Sequence, residues 1–189
     1  YGMLVTIDGT TIIKDTDTQL STIAFSGAYI SAELLPNGNI FIAHDYDSSN
    51  RYLFGMVVTI EGNTITTGTD TVISSSTKTG VTISTCLLPN GNVFIAHSYG
   101  SNYYLYGIVC SINGTTITKG SDTASVSTKY AGFKISVSKL NDDKVFIAHS
   151  QNSDTSSFLY GIVCNISNTT ITKGTDTELC REIYAGATI

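Results

Sequence analysis

The chain has 189 residues, 41% hydrophobic and only 13% charged, which is about half the usual charged share yet ample for a packed core, so disorder is excluded. The net charge is −5 with ten Lys and Arg scattered singly; no basic stripe exists to follow phosphates, and nucleic acid is not expected as a partner. No apolar run approaches the roughly 20 residues of a bilayer span, so membrane insertion is not expected.

In chain order, Tyr1-Gly2 opens a strand, YGMLVTI, that ends at Asp8-Gly9 and is followed by the polar strand TTIIK. The same pair of strands returns from Phe54-Gly55, Tyr106-Gly107 and Tyr160-Gly161, where LYGIVC is spelled twice. The turns Asp8-Gly9, Glu61-Gly62, Asn113-Gly114 and Ser167-Asn168 are read as type I′ hairpin turns. Ahead of each later pair stand two further strands. One is small or polar: AYISAELL, GVTISTCLL and FKISVSKL; the other is IFIAH, VFIAH or VFIAH, apolar on both faces. Pro36-Asn37-Gly38 and Pro89-Asn90-Gly91 read as the tight turns between them, with Asn141-Asp142-Asp143 taking that place in the third copy, where an Asp is expected to adopt the left-handed conformation. Threonine-rich last strands carrying Lys14, Lys119 and Lys173 suit an exposed edge protected against further pairing.

The period is about 53 residues, and its variation has one location. From each glycine to the next histidine the count is 42 (2 to 44, 55 to 97, 107 to 149), whereas from histidine to the next glycine it is 11, 10 and 12. Length varies only in the loops 45–51, 98–104 and 150–157, which marks them as surface. Four antiparallel strands with apolar middle members, repeated at this period, predict an all-β chain of the β-propeller kind. The expected layout is a partial blade over 1–24, blades at about 25–77, 78–129 and 130–183, and the start of another at 184–189. A β-solenoid fits less well, because its coils are shorter. The repeat opens and stops mid-unit and the chain begins at Tyr1 without an initiating Met, so the rest of a longer polypeptide, or other chains, is expected to close the ring; any targeting segment lies outside these residues or has been removed.

In such a blade the tight turns share one end. The variable loops and the links QLSTIAFSG, VISSSTKTG, ASVSTKYAG and ELCREIYAG share the other, which is rich in Tyr, Asn, Ser and Gly, a composition suited to recognition. Tyr46, Arg51, Tyr99, Asn102 and Tyr103 are the expected binding residues, together with Tyr130 and Tyr184, which share one link position with Phe25 and Lys78.

Catalytic and metal chemistry finds little footing. His44, His97 and His149 occupy one repeat position; neighbouring copies would stand on the order of 10 Å apart, too far to share a metal at ~2.1 Å, so each is expected to make a local hydrogen bond. Asp17, Asp70, Asp122 and Asp176 sit in T/S-D-T triplets, the first three 27 residues before a histidine, and are expected to cap turns at the end of the fourth strand. Cys110 and Cys164 replace Val5 and Val58, Cys86 stands where other copies have Glu33 and Ser138, and Cys180 lies in a link. No C-x-x-C occurs, and reduced thiols are expected, as in a chain folded in the cytosol or at least not stapled for secretion. Asn113, Asn165 and Asn168 head glycosylation sequons that recur with the repeat and carry little weight. Glu33 has no carboxylate partner at equivalent positions, and no nucleophile elbow, P-loop, zinc-protease or dinucleotide motif appears. Neither enzymatic activity, a metal nor a cofactor is expected.

The wording FIAHS, YGIVxxING and TTITKGTDT resembles the Ser/Thr-rich propeller repeats of bacterial surface proteins and phage tail or tail-fibre proteins. The resemblance implies a virion or cell-surface location and a host-recognition or adhesion role toward a protein or glycan receptor. An intracellular protein-interaction scaffold in the cytoplasm is the alternative.

Overall fold

The computed structural model describes residues 1–23, 26–46, 51–75, 82–152 and 157–181, and every regular element among them is a β-strand. A hairpin comes first, β1 (Val5–Asp8) with β2 (Thr11–Lys14). Sheet I follows as β3 (Ser26–Leu34), β4 (Ile40–Tyr46), β5 (Tyr52–Glu61), β6 (Thr64–Thr67) and β7 (Thr71–Ser74). Sheet II comprises β8 (Ile83–Leu87), β9 (Val93–Tyr99), β10 (Tyr104–Asn113), β11 (Thr116–Lys119) and β12 (Thr123–Val126). Sheet III comprises β13 (Ile135–Asn141), β14 (Lys144–Asn152), β15 (Ser157–Ser167), β16 (Thr170–Lys173) and β17 (Thr177–Cys180).

Each sheet is an antiparallel meander whose outermost position is shared. The third strand pairs with the Thr-rich strand along its last four residues and with a further short strand along its first ones; in sheet I, Val58 faces Thr67 while Gly55 faces Thr71. The links therefore begin later than the sequence suggests, because Thr71–Ser74, Thr123–Val126 and Thr177–Cys180 belong to the sheets.

Two turn expectations are corrected. The third-to-fourth hairpin loops are Gly9-Thr10, Gly62-Asn63, Gly114-Thr115 and Asn168-Thr169, since Asp8 pairs with Thr11 and its counterparts do likewise. Only the first loop residue has positive φ (59°, 57°, 60° and 54°), the pattern of a type II′ rather than a type I′ turn. In the third copy no residue of 141–143 takes positive φ; a register shift between Lys139 and Asn141 makes the turn instead.

The two sides of each sheet have different chemistry. One presents Phe and Ala from the second strand, as in Phe41 and Ala43; the other presents Val or Ile and then His, as in Val93, Ile95 and His97. Phe41, Ala43, Leu53, Val57 and Ile73 of sheet I pack against Val93, Ile95, Ile108, Cys110 and Ile117 of sheet II. Phe94, Ala96, Leu105 and Val109 of sheet II pack in the same way against Val145, Ile147, Ile162 and Cys164 of sheet III. Both cores are thus a Phe–Ala side laid on an Ile–His side.

The aromatic-Gly pair serves this packing. A Cβ on Gly107 would stand 2.9 Å from Phe94 Cζ and 3.3 Å from Ile171 Cδ1, and Gly55 and Gly161 are covered likewise by Phe41 and Phe146. The phenylalanine ring lies over the glycine because nothing projects there.

The first strands are small and polar because they run beside each other. Thr85 N donates to Ser31 Oγ at 3.1 Å, Thr85 Oγ1 to Glu33 Oε1 at 3.0 Å, and Val137 N to Ser84 Oγ at 3.0 Å. At the opposite edge a groove of about 510 Å³, lined by threonines including Thr66, Thr67, Thr69 and Thr115, lies beside β6 and the β10–β11 turn. Replacing Gly107 by Ala should destabilise the protein by about 1–3 kcal/mol, the usual cost of overpacking, measured by urea unfolding. A loss under about 0.5 kcal/mol would deny the ring its seat on the glycine.

Candidate functional site: an aromatic platform above a Ser–Asp–His scaffold

The tight turns gather at one end: Pro36 and Asn37 share a crevice with Gly91, Asn113 and Gly114. At the other end the β9–β10 loop and the link from sheet II to sheet III are tied together. Tyr130 N donates to Asn102 O at 2.7 Å, and Gly132 N to Tyr103 O at 2.6 Å. Ala131 between them is fully buried and anchors the link.

This backbone frame sets an aromatic cluster. The Tyr103 ring stacks on Tyr130 with centroids 6.1 Å apart and meets Phe133 edge-on at 5.8 Å, separations in the favourable range for aromatic pairs. Lys129 Nζ lies 4.8 Å from the Tyr130 centroid and Lys134 Nζ 5.7 Å from that of Phe133. Tyr99 stacks on Tyr106 at 4.1 Å, and Asn102 Nδ2 donates to the Tyr104 hydroxyl at 2.9 Å. Sheet I carries a smaller counterpart, with Arg51 at 5.7 Å over the Tyr29 ring and Tyr46 edge-on to Phe54 at 6.2 Å.

Arg51, Tyr103 and Tyr130 have φ of 40°, 51° and 66°. Side chains with a Cβ rarely adopt this region outside turns and functional sites. Three of the seven expected binding residues are therefore held in a costly conformation. All those described, Tyr46, Arg51, Tyr99, Asn102, Tyr103 and Tyr130, are partly exposed; Tyr184, with Phe25 and Lys78, lies outside the described residues. Sequence reasoning missed Tyr29, Lys129, Phe133 and Lys134. The signal was present: Tyr29 has Thr82 and Lys134 as its counterparts, a variability hidden by assigning these positions to a first strand.

Beneath the platform lie the repeated histidines, and the aspartates prove to be their partners rather than turn caps. His44 Nε2 lies 2.8 Å from Asp70 Oδ1, His97 Nε2 2.9 Å from Asp122 Oδ1, and His149 Nε2 2.8 Å from Asp176 Oδ1. Each aspartate sits between the two halves of the outer strand and reaches back across the third strand. Each Nδ1 faces the carbonyl oxygen of the next residue, at 3.0 Å for His44. Both ring nitrogens thus face oxygens, which fixes the plane of each imidazole between its aspartate and the backbone. Asp17 is the exception, for all three histidines of the chain are engaged elsewhere.

The relay extends between repeats. Ser21 Oγ donates to Asp70 Oδ2 and Ser74 Oγ to Asp122 Oδ2, both at 2.6 Å. In neither does the serine hydroxyl bond to an imidazole, and Nε2 is already taken by the carboxylate, so the nucleophile–base contact of a catalytic triad is absent from it. No group of three or more His, Cys, Asp or Glu able to hold a metal occurs among the described residues, nor a helix long and apolar enough to cross a membrane.

Burial raises the Asp122 carboxyl, but the hydrogen bond and charge of His97, with the bond from Ser74, outweigh it and hold it below the ordinary range. A carboxyl lowered in the folded state stabilises fully above its unfolded value, about 3.9, and loses that contribution as pH falls through the folded one. Stability should therefore fall as pH drops from about 5 toward 2, and Asp122→Asn should flatten this slope while lowering stability at pH 7. A parallel acid slope in the variant would remove Asp122 from the account. Burial also pushes the Cys86 and Cys110 thiols up to about 12 and raises that of Cys164, while all four cysteines are free and only Cys180 is partly exposed. A thiol reagent at pH 7.5 should modify one cysteine in the native protein and four after denaturation; fast native labelling of three or more would contradict this packing.

No protein-family model, no curated protein and no solved structure matches the chain.

Proposed function

We propose that the chain is a segment of a β-propeller whose loop end is a recognition surface, and that its ligand is a glycan or glycosylated receptor. The ring reading is supported by first strands hydrogen-bonded side by side at one edge of the sheets and a groove at the opposite edge, as sheets set around an axis would have. The observation that carries the binding reading is the Tyr103–Tyr130–Phe133 cluster, with Tyr103 and Tyr130 on left-handed backbone. Flat aromatic faces suit the apolar faces of sugar rings. Lys129 and Lys134 beside them, and Arg51 over Tyr29 in sheet I, on a chain of net charge −5, suit a glycan carrying carboxylates. The Ser/Thr-rich wording of the repeats supports reading the module as part of a phage tail or a bacterial surface assembly, acting in adhesion or host recognition.

A glycan array including neutral and acidic oligosaccharides tests the proposal. Tyr103→Ala with Tyr130→Ala should weaken binding at least about tenfold, as loss of aromatic anchors does, with little change in Tm. Gly114→Ala at the opposite end should lower Tm and leave affinity alone. If the turn variant loses binding at full stability while the tyrosine variant keeps it, the working end has been misassigned; an array with no hit above background would remove glycans as the ligand class.

A further inference from the structure

Among the described residues the hairpin β1–β2 stands as the outer half of a sheet with no inner half beside it. Its register matches the complete sheets: Val5 faces Lys14 as Cys110 faces Lys119, and Gly2 bridges Thr18 as Gly107 faces Thr123. In the complete sheets the other edge of the third strand is paired with the second strand over Tyr52–Val58, Tyr104–Cys110 and Ser157–Asn165. Among the described residues β1 pairs with β2 alone, leaving that edge open to strand addition.

Two more positions in the same place are unfilled among the described residues. Gly55, Gly107 and Gly161 each lie under a phenylalanine of the second strand, whereas the side-chain atoms nearest Gly2 all belong to Leu20. Asp70, Asp122 and Asp176 each hold a histidine of that strand, and Asp17 holds none of the three. Beside Gly2 a cavity of about 380 Å³ opens, lined on one wall by Leu20 and Ile23 and on the other by Ile30, Ile42 and Met56. Exposure follows the same pattern: Ile30 is 60% exposed, against 7% for its counterpart Ile135.

The geometry points to the open edge of β1 as a docking site for a β-hairpin of this protein's own inner-strand type. Its second strand would carry Phe-x-Ala-His, with the Phe over Gly2 in the cavity, the Ala opposite Gly2 and the His on Asp17. The occupant is specified by three internal precedents that place these side chains against these partners. The inference is independent of which ligand the loop end takes.

The test uses the whole 189-residue protein and a fluorescein-labelled peptide of residues 133–152, which supplies both inner strands with Phe146 and His149. Fluorescence anisotropy and calorimetry should give saturable 1:1 binding, and hydrogen exchange should show new protection at Met3–Ile7. Peptide His149→Ala should weaken binding roughly tenfold, as loss of a charged hydrogen bond does. In Asp17→Asn protein that difference should collapse, and because Asp17 is exposed this variant should fold. Peptide Phe146→Ala should bind more weakly to either protein. The proposal is overturned if binding is not saturable, if it ignores both peptide substitutions, or if protection falls at Val163 and Leu179 on the far side of sheet III. Self-association of the protein alone with protection at Met3–Ile7 would make a second copy the occupant and overturn it equally.

Discussion

Everything in this fold hangs on sheets that must be covered on both sides. The second and third strands are apolar on each face, so a single sheet of this kind would leave one hydrophobic face in water. The answer is an asymmetric contact, a Phe–Ala side against an Ile–His side, used twice within the chain. A contact between unlike faces propagates in one direction, and whether it closes or continues depends only on the rotation per step. The glycine under each phenylalanine sets the depth of that contact and so the spacing of the sheets.

The loop end inherits its precision from this stacking. The link from sheet II to sheet III has to pass beside the β9–β10 loop, and two backbone hydrogen bonds fasten it there. The aromatic cluster is therefore assembled from two segments separated by some 25 residues of sheet, from Tyr103 to Tyr130, and held by the same packing that orders the cores. A site mounted on rigid elements meets its ligand with little ordering left to do.

Much of the scaffold was legible in the sequence because the repeat reports on itself. The constant count from glycine to histidine located four strands and two tight turns, and the variable count located the loops. What escaped was what spacing cannot encode. Asp70 reads as a turn residue until the outer strand is seen to break in two, which swings the carboxylate toward His44. The turn type at Gly62 depends on which residues pair across the hairpin, a one-residue question that the pattern leaves open. Phe133 and Lys134 read as strand because their counterparts in the first copy, residues 28 and 29, lie in β3, whereas here they rim the platform. Ring closure and the chemistry of recognition go beyond a repeat count altogether, since neither is a property of one sheet.

The serine relay gives the array a graded coupling. Ser21 and Ser74 tie one repeat's outer strand to the next repeat's histidine pair, but Val126 occupies that place between sheets II and III, facing Leu105 as Ser74 faces Leu53. In a linear array, stability is the sum of unit terms and nearest-neighbour terms. One junction therefore lacks a polar cross-link that the other two possess. Fraying of such an array starts at its weakest neighbour term, and between sheets II and III that term rests on the apolar core and on the Ser84–Val137 and Thr82–Phe133 bonds in place of a serine–aspartate one.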